Sequence, residues 1–240
     1  TRLQGDWSSD VCSSDLFKLA LILNIETSTK KCSVALFDDL RLVSEKSLLS
    51  EKYSHSETLT VFIEELFNEI EYSIKELDAI SVSKGPGSYT GLRIGVSTAK
   101  GLSYALNKPL ISISTLQLMA YSMSKKRKEF DLYCPMIDAR RMEVFSAFYN
   151  KKNELVREVK ADIIAPDSYT DLLNNKILFF GDGSSKCKDM LVSENAYFEE
   201  GIHPSAADMS ELSYLQYKNK EFEDVAYFEP FYLKDFITGV

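Results

Sequence analysis

The residues whose types and spacing could do chemistry are concentrated between Lys84 and Ala99. There Gly85, Gly87 and Gly91, Pro86 and the hydroxyls of Ser88, Tyr89 and Thr90 stand between a strand and a helix. Glycine adopts φ > 0 without a Cβ clash and proline fixes its own φ, so the segment is a loop that lets backbone approach something closely. N–H groups gathered at a helix N-terminus favour an anion or a partner carbonyl. A Walker loop needs Lys and then Ser or Thr directly after its last glycine, whereas Leu92 and Arg93 follow Gly91. The spacing G-x-G-x-x-x-G also misses the dinucleotide fingerprint. The competing reading is a tight connection that holds no ligand.

Composition narrows the classes further. A chain of 240 residues with 45% hydrophobic content can bury a substantial core, in one large domain or two lobes. No apolar run reaches membrane-spanning length, so a soluble protein is expected. The net charge of −8 argues against a protein that grips nucleic acid by itself. The one basic run, Lys125-Lys126-Arg127-Lys128, reads as a solvated loop rather than an RNA contact. Cys12, Cys32, Cys134 and Cys187 show no C-x-x-C spacing, which suits a reducing cytoplasm and argues against structural zinc. Residues 1–18 read as an appended leader: Trp7 is the sole tryptophan, and Ser8-Ser9-Asp10 nearly repeats as Ser13-Ser14-Asp15. A disordered extension is the alternative, and the basic start and apolar centre of a secretory signal are missing.

The elements that must position the loop follow from periodicity. Strands are expected at Leu19–Ile25, Cys32–Phe37 and Leu40–Leu48, joined by the polar turn Glu26 to Lys31 and by Asp38-Asp39. A helix follows, opened by a capping box of Ser54 and Glu57, with Leu59, Phe62, Ile63, Leu66, Phe67 and Ile70 on one face. Then come the strand Ala79–Ser83, the glycine loop, a helix from Leu92 to Leu106, and the strand Leu110–Ser114. The second half repeats the order more loosely: strands Tyr133–Ile137, Met142–Tyr149 and Glu154–Ile163, a short helix near Ser168–Leu173, the buried strand Ile177–Phe180, and a helix opened by Gly181-Asp182-Gly183. Two β-β-β-α-β-α units predict a duplicated α/β fold, with an N-terminal lobe over 19–115 and a C-terminal lobe over 116–240. The last helix and tail of the second lobe are expected to pack back on the first. In each half an acid, Glu26 and then Asp138, ends the first strand.

The first-strand Ile-Glu-Thr-Ser-Thr, the duplicated meander and Lys84 to Gly95 together resemble the TsaB (YeaZ) family. Further points of likeness are His55-Ser56-Glu57, Ile137 to Arg141, Gly181 to Gly183, His203 to Ala206 and Pro230 to Leu233. The resemblance implies the actin-like, sugar-kinase-like ATPase (ASKHA) fold and a place in making threonylcarbamoyladenosine beside the anticodon of tRNA. It implies a non-catalytic partner of a paralogous subunit, TsaD, with the ATPase TsaE as a third component and tRNA reached through the complex. Glu26 departs from the Asp usual in that family's first turn and would shift any water-mediated metal contact. The related catalytic family holds metal through two histidines one helical turn apart, and here Leu59 follows His55 at that spacing. Neither a nucleophile elbow nor a Walker lysine is present, so no catalytic set, no resident metal and no cofactor bound by the chain alone are expected.

The site residues follow from this. Thr27, Ser28, Thr29, Gly85, Gly87, Ser88, Thr90, Gly91, Arg93, Asp138, Gly181, Asp182 and Gly183 form a candidate vestigial phosphate site. In an ATP-dependent phosphotransferase of the same fold they would cradle phosphates, with Glu26 or Asp138 on magnesium; a metallopeptidase is the third reading. His55, Glu57 and the small-residue ridge Gly95, Ala99 and Ser103 are the candidate partner interface, and the alternative is that the ridge packs inside its own lobe. His203 is expected to be structural. A homodimer through the partner surface and a nucleotide at a shared interface stay open.

Overall fold

The computed structural model describes residues 20–50 and 55–234. The leader and Ser54, with its expected capping box, lie outside the described residues. Two five-stranded mixed sheets repeat one topology. The N-terminal sheet is built from β1 (Leu21–Glu26), β2 (Lys31–Asp38), β3 (Arg41–Leu49), β4 (Ala79–Gly85) and β5 (Leu110–Ser114) in the order β3-β2-β1-β4-β5. The C-terminal sheet is built from β6 (Leu132–Asp138), β7 (Glu143–Asn150), β8 (Leu155–Ile163), β9 (Ile177–Phe180) and β10 (Ala196–Glu199) in the order β10-β9-β6-β7-β8. In each, a three-strand antiparallel meander continues into parallel pairs through its first strand. The expected duplication is therefore present at the level of strand order.

β1 is buried on both faces, which is why it reads as a nearly unbroken apolar run. Leu21, Leu23 and Ile25 join a core with Leu59, Ile63 and Leu66 of α1 (His55–Asn68) and Val96 and Ala99 of α2 (Tyr89–Leu106). Ala20 and Ile22 face the opposite way, onto Ile111, Ile113, Leu118 and Met209, with Leu212, Tyr214 and Tyr217 of α4 (Ser210–Asn219) packed against them. The last helix thus covers the back of the first sheet.

Four expectations are corrected. α2 begins at Tyr89 rather than Leu92, because Ser88 caps it by accepting from Gly91 N at 3.3 Å. An unanticipated helix, α3 (Thr115–Lys126), contains Lys125 and Lys126, which are therefore not loop residues. It lies between the two sheets: Leu118 packs on the first, while Leu116, Met119 and Met123 join the core of the second. A helix buried on two sides has no single apolar stripe to betray it. Around Ser168–Leu173 the chain forms turns, with Tyr169 at φ 63, outside the helical region. After Gly181-Asp182-Gly183 only the three-residue 3-10 turn Ser185–Cys187 forms, and β10 follows it.

Candidate functional site

The glycine loop does approach backbone closely, and that backbone is the chain's own β1–β2 turn. Ser88 N donates to Ser28 O at 2.7 Å. A Cβ on Gly87 would lie 2.4 Å from Ser28 O, one on Gly91 2.1 Å from Thr27 O, and one on Gly95 2.2 Å from Thr27 Oγ1. Thr27 Oγ1 in turn donates to Gly91 O at 2.8 Å. Thr27, Ser28 and Thr29 are consequently buried. Gly85, at φ 110, meets the C-terminal segment on its other side: its Cβ would lie 2.8 Å from Phe231 O, and Phe231 N donates to Lys84 O at 2.7 Å. Thr90 and Arg93 stay exposed at the start of α2, with the Arg93 guanidinium 5.1 Å over the Tyr89 ring and that ring tilted on Tyr232 at 4.8 Å.

Glu26 serves this turn. Its Oε1 accepts from Ser28 N at 2.6 Å, and burial pushes its carboxyl above the usual carboxylate range. Glu26 is fully buried, as are the nearby Asn24 side chain and Ser81 and Ser83 on the adjacent strand.

The C-terminal counterpart is closed in a similar manner. A Cβ on Gly181 (φ 107) would lie 2.3 Å from Met136 O, and one on Gly183 2.9 Å from Asp138 N. Asp182 Oδ1 accepts from Asp138 N at 3.0 Å. The Asp138 carboxylate is held by Lys186, a partner that no motif in the sequence singled out; Lys186 also donates to Glu143 O at 2.7 Å. Burial raises Asp182 and lowers His203, while the attraction between them opposes both shifts. Among the described residues, no group of three or more His, Cys, Asp or Glu side chains is arranged to hold a metal.

The candidate interface is redistributed. His55 is buried, with Nε2 2.7 Å from Thr29 O, and burial lowers its pKa. Gly95, Ala99 and Ser103 are buried inside the N-terminal lobe, against the β1–β2 turn and its core. The ridge is therefore occupied by its own lobe, because the small residues make room for Thr27. Of the expected interface only Glu57 stands exposed. The two helices border a groove of about 370 Å³ lined by Thr60, Ile63, Phe67, Ile74, Thr98 and Leu102.

A family model described as "TsaD: tRNA N6-adenosine threonylcarbamoyltransferase" matches residues 49–236. The tRNA threonylcarbamoyladenosine biosynthesis protein TsaB of Bacillus subtilis is 34% identical over 223 residues, spanning 89% of this chain and 93% of that protein. The solved structure of YeaZ from Pseudomonas aeruginosa superposes with a TM-score of 0.76 at 25% identity, covering 90% of this chain and all of the other. A putative N-acetylmannosamine kinase from Listeria monocytogenes shares the fold at a TM-score of 0.50 and 11% identity. Two sheets of identical strand order, a glycine loop seated on the first-strand turn and near full-length likeness to these relatives agree: the chain belongs to the TsaB (YeaZ) family.

Proposed function

We propose that this protein acts in tRNA threonylcarbamoyladenosine biosynthesis as a non-catalytic subunit that docks on, and stabilises or activates, a TsaD-like paralogue. The observation that carries the reading is the filling of the Thr27–Thr29 turn by Gly87, Gly91 and Gly95, which spends on intramolecular packing the backbone that a phosphate would need. A TsaE-like ATPase completes the assembly, and tRNA is met in the complex. The docking surface is the exposed side of α1 and α2, where Val61 is 45% exposed and Thr98 and Leu102 border an apolar groove. Apolar patches ringed by polar residues are characteristic of such contacts.

The test is co-purification of the chain with its TsaD-like relative, parent against Thr98→Glu. Thr98 is half-buried at the groove edge, so a carboxylate there is tolerated by the fold and opposed by an apolar partner. The expected result is loss of the relative with an unchanged circular dichroism spectrum, and threonylcarbamoylation of tRNA only when all partners and threonylcarbamoyl-adenylate are supplied. Modification by the isolated chain overturns the reading. Micromolar Mg-ATP binding lost in Asp138→Ala would move the assignment to a phosphotransferase.

A further inference from the structure

Four lysines from two separate segments meet around one surface pocket of about 420 Å³. Lys125 and Lys128 come from the end of α3 and the residues after it, Lys151 and Lys152 from the β7–β8 turn, and Tyr121 and Ser124 complete the lining. In a chain of net charge −8 this concentration is not a consequence of composition. Part of it has a local cause: Lys125 lies in the last turn of α3, where the helix dipole favours a cation. Lys125 also pairs with Glu211 at 3.1 Å, and Lys151 pairs with Asp131 at 3.4 Å. Lys128 and Lys152 enter no ion pair among the described residues, and α3 contains no acidic residue. The turn that presents Lys151 and Lys152 is fixed, since Asn150 Oδ1 accepts from Lys152 N at 2.9 Å and Glu154 N at 3.1 Å, with Asn153 at φ 62. Counting Glu211 and Asp131 against the four ammonium groups leaves the pocket net positive.

We propose that this pocket binds the phosphodiester backbone of RNA, as this chain's own contribution to the tRNA surface of the complex; the inference rests on the assignment to tRNA modification above. Its chemistry favours phosphate over an acidic protein segment. Lysine binds phosphate as a compact point charge, without the planar fork that gives arginine its bidentate hold on carboxylate and phosphate alike. Protein interfaces are anchored by apolar and aromatic cores, and here four of six lining residues are lysines. Such binding carries no base specificity and weakens steeply with salt.

The experiment measures anisotropy of a fluorescein-labelled, unmodified tRNA transcript across a salt series. It compares the parent with Lys128→Gln/Lys152→Gln, using the chain alone at low salt and the chain with its TsaD-like relative. Both side chains are exposed and unpaired among the described residues, so the fold is retained. The expected result is roughly tenfold weaker binding at low salt, and a log–log salt slope shallower by about two, one for each lysine removed. An unchanged affinity and slope overturns the proposal. Displacement of the tRNA by poly-glutamate as effectively as by an equal charge of unlabelled RNA also overturns it, and assigns the pocket to an acidic protein segment. The double variant keeps its TsaD-like partner throughout, so failure here is distinguishable from failure of the docking assignment.

Discussion

Alanine at two glycines of the same helix should move stability in opposite directions. Gly95 and Gly101 both lie inside α2, where replacing glycine by alanine is worth about 1 kcal/mol of helix propensity. At Gly101 a Cβ meets nothing within 4 Å, so Gly101→Ala should realise that gain in full. At Gly95 the new carbon would sit 2.2 Å from Thr27 Oγ1, which donates at 2.8 Å to Gly91 O in a buried setting. The threonine must rotate or the helix must move. Overpacking costs about 1–3 kcal/mol. Stranding the buried Thr27 hydroxyl costs a similar amount. Set against the propensity gain, the net loss is about 3 kcal/mol. For a chain of this size that lowers the melting temperature by roughly 6–12 °C, while Gly101→Ala raises it by about 2–4 °C. Thermal and urea unfolding by circular dichroism read both variants. Equal stabilisation by the two substitutions would refute the seating of α2 on the β1–β2 turn.

Glu26→Gln should stabilise the protein at about pH 8 and lose that advantage towards about pH 4, read as the urea midpoint. Burial raises the folded-state carboxyl, so its stabilising contribution is full below the unfolded pKa and is lost as pH rises through the folded value. A deficit that stays constant over the range would show instead that the glutamate is held for its charge. His55→Gln keeps a donor for Thr29 O and removes a group whose pKa burial lowers. The parent's histidine contribution is present above its ordinary pKa and lost as pH falls through the lowered one, so the variant should gain relative to the parent between about pH 7 and 5. Parallel pH profiles for the two proteins would argue against a buried neutral imidazole.

Much of the architecture was legible because it is local. Apolar runs and alternation bounded by turn residues placed β1, β2, β4, β5 and β9 within a residue or two, and the i, i+4, i+7 pattern of Leu59, Ile63 and Leu66 placed α1. The acids closing β1 and β6, Glu26 and Asp138, marked the duplication that the sheet order confirms. The elements that escaped have non-local causes. α3 buries both sides between two sheets, and β10 is four residues long and defined by its parallel pairing with β9.

The same division runs through the site. The residues Gly85, Gly87 and Gly91 announce by their type alone that backbone comes close to something there. What comes close could not be read from them, because Thr27 and Ser28 are some sixty residues away, and nothing in the loop distinguishes a carbonyl of the chain from a ligand oxygen. Small residues at Gly95, Ala99 and Ser103 likewise specify close packing without saying against what; burial of the threonine turn decided it. Composition fixed an acidic chain of net charge −8, yet charge sums carry no positions. Only folding set the β7–β8 turn beside the end of α3 and made a basic pocket from lysines that are separate in the sequence.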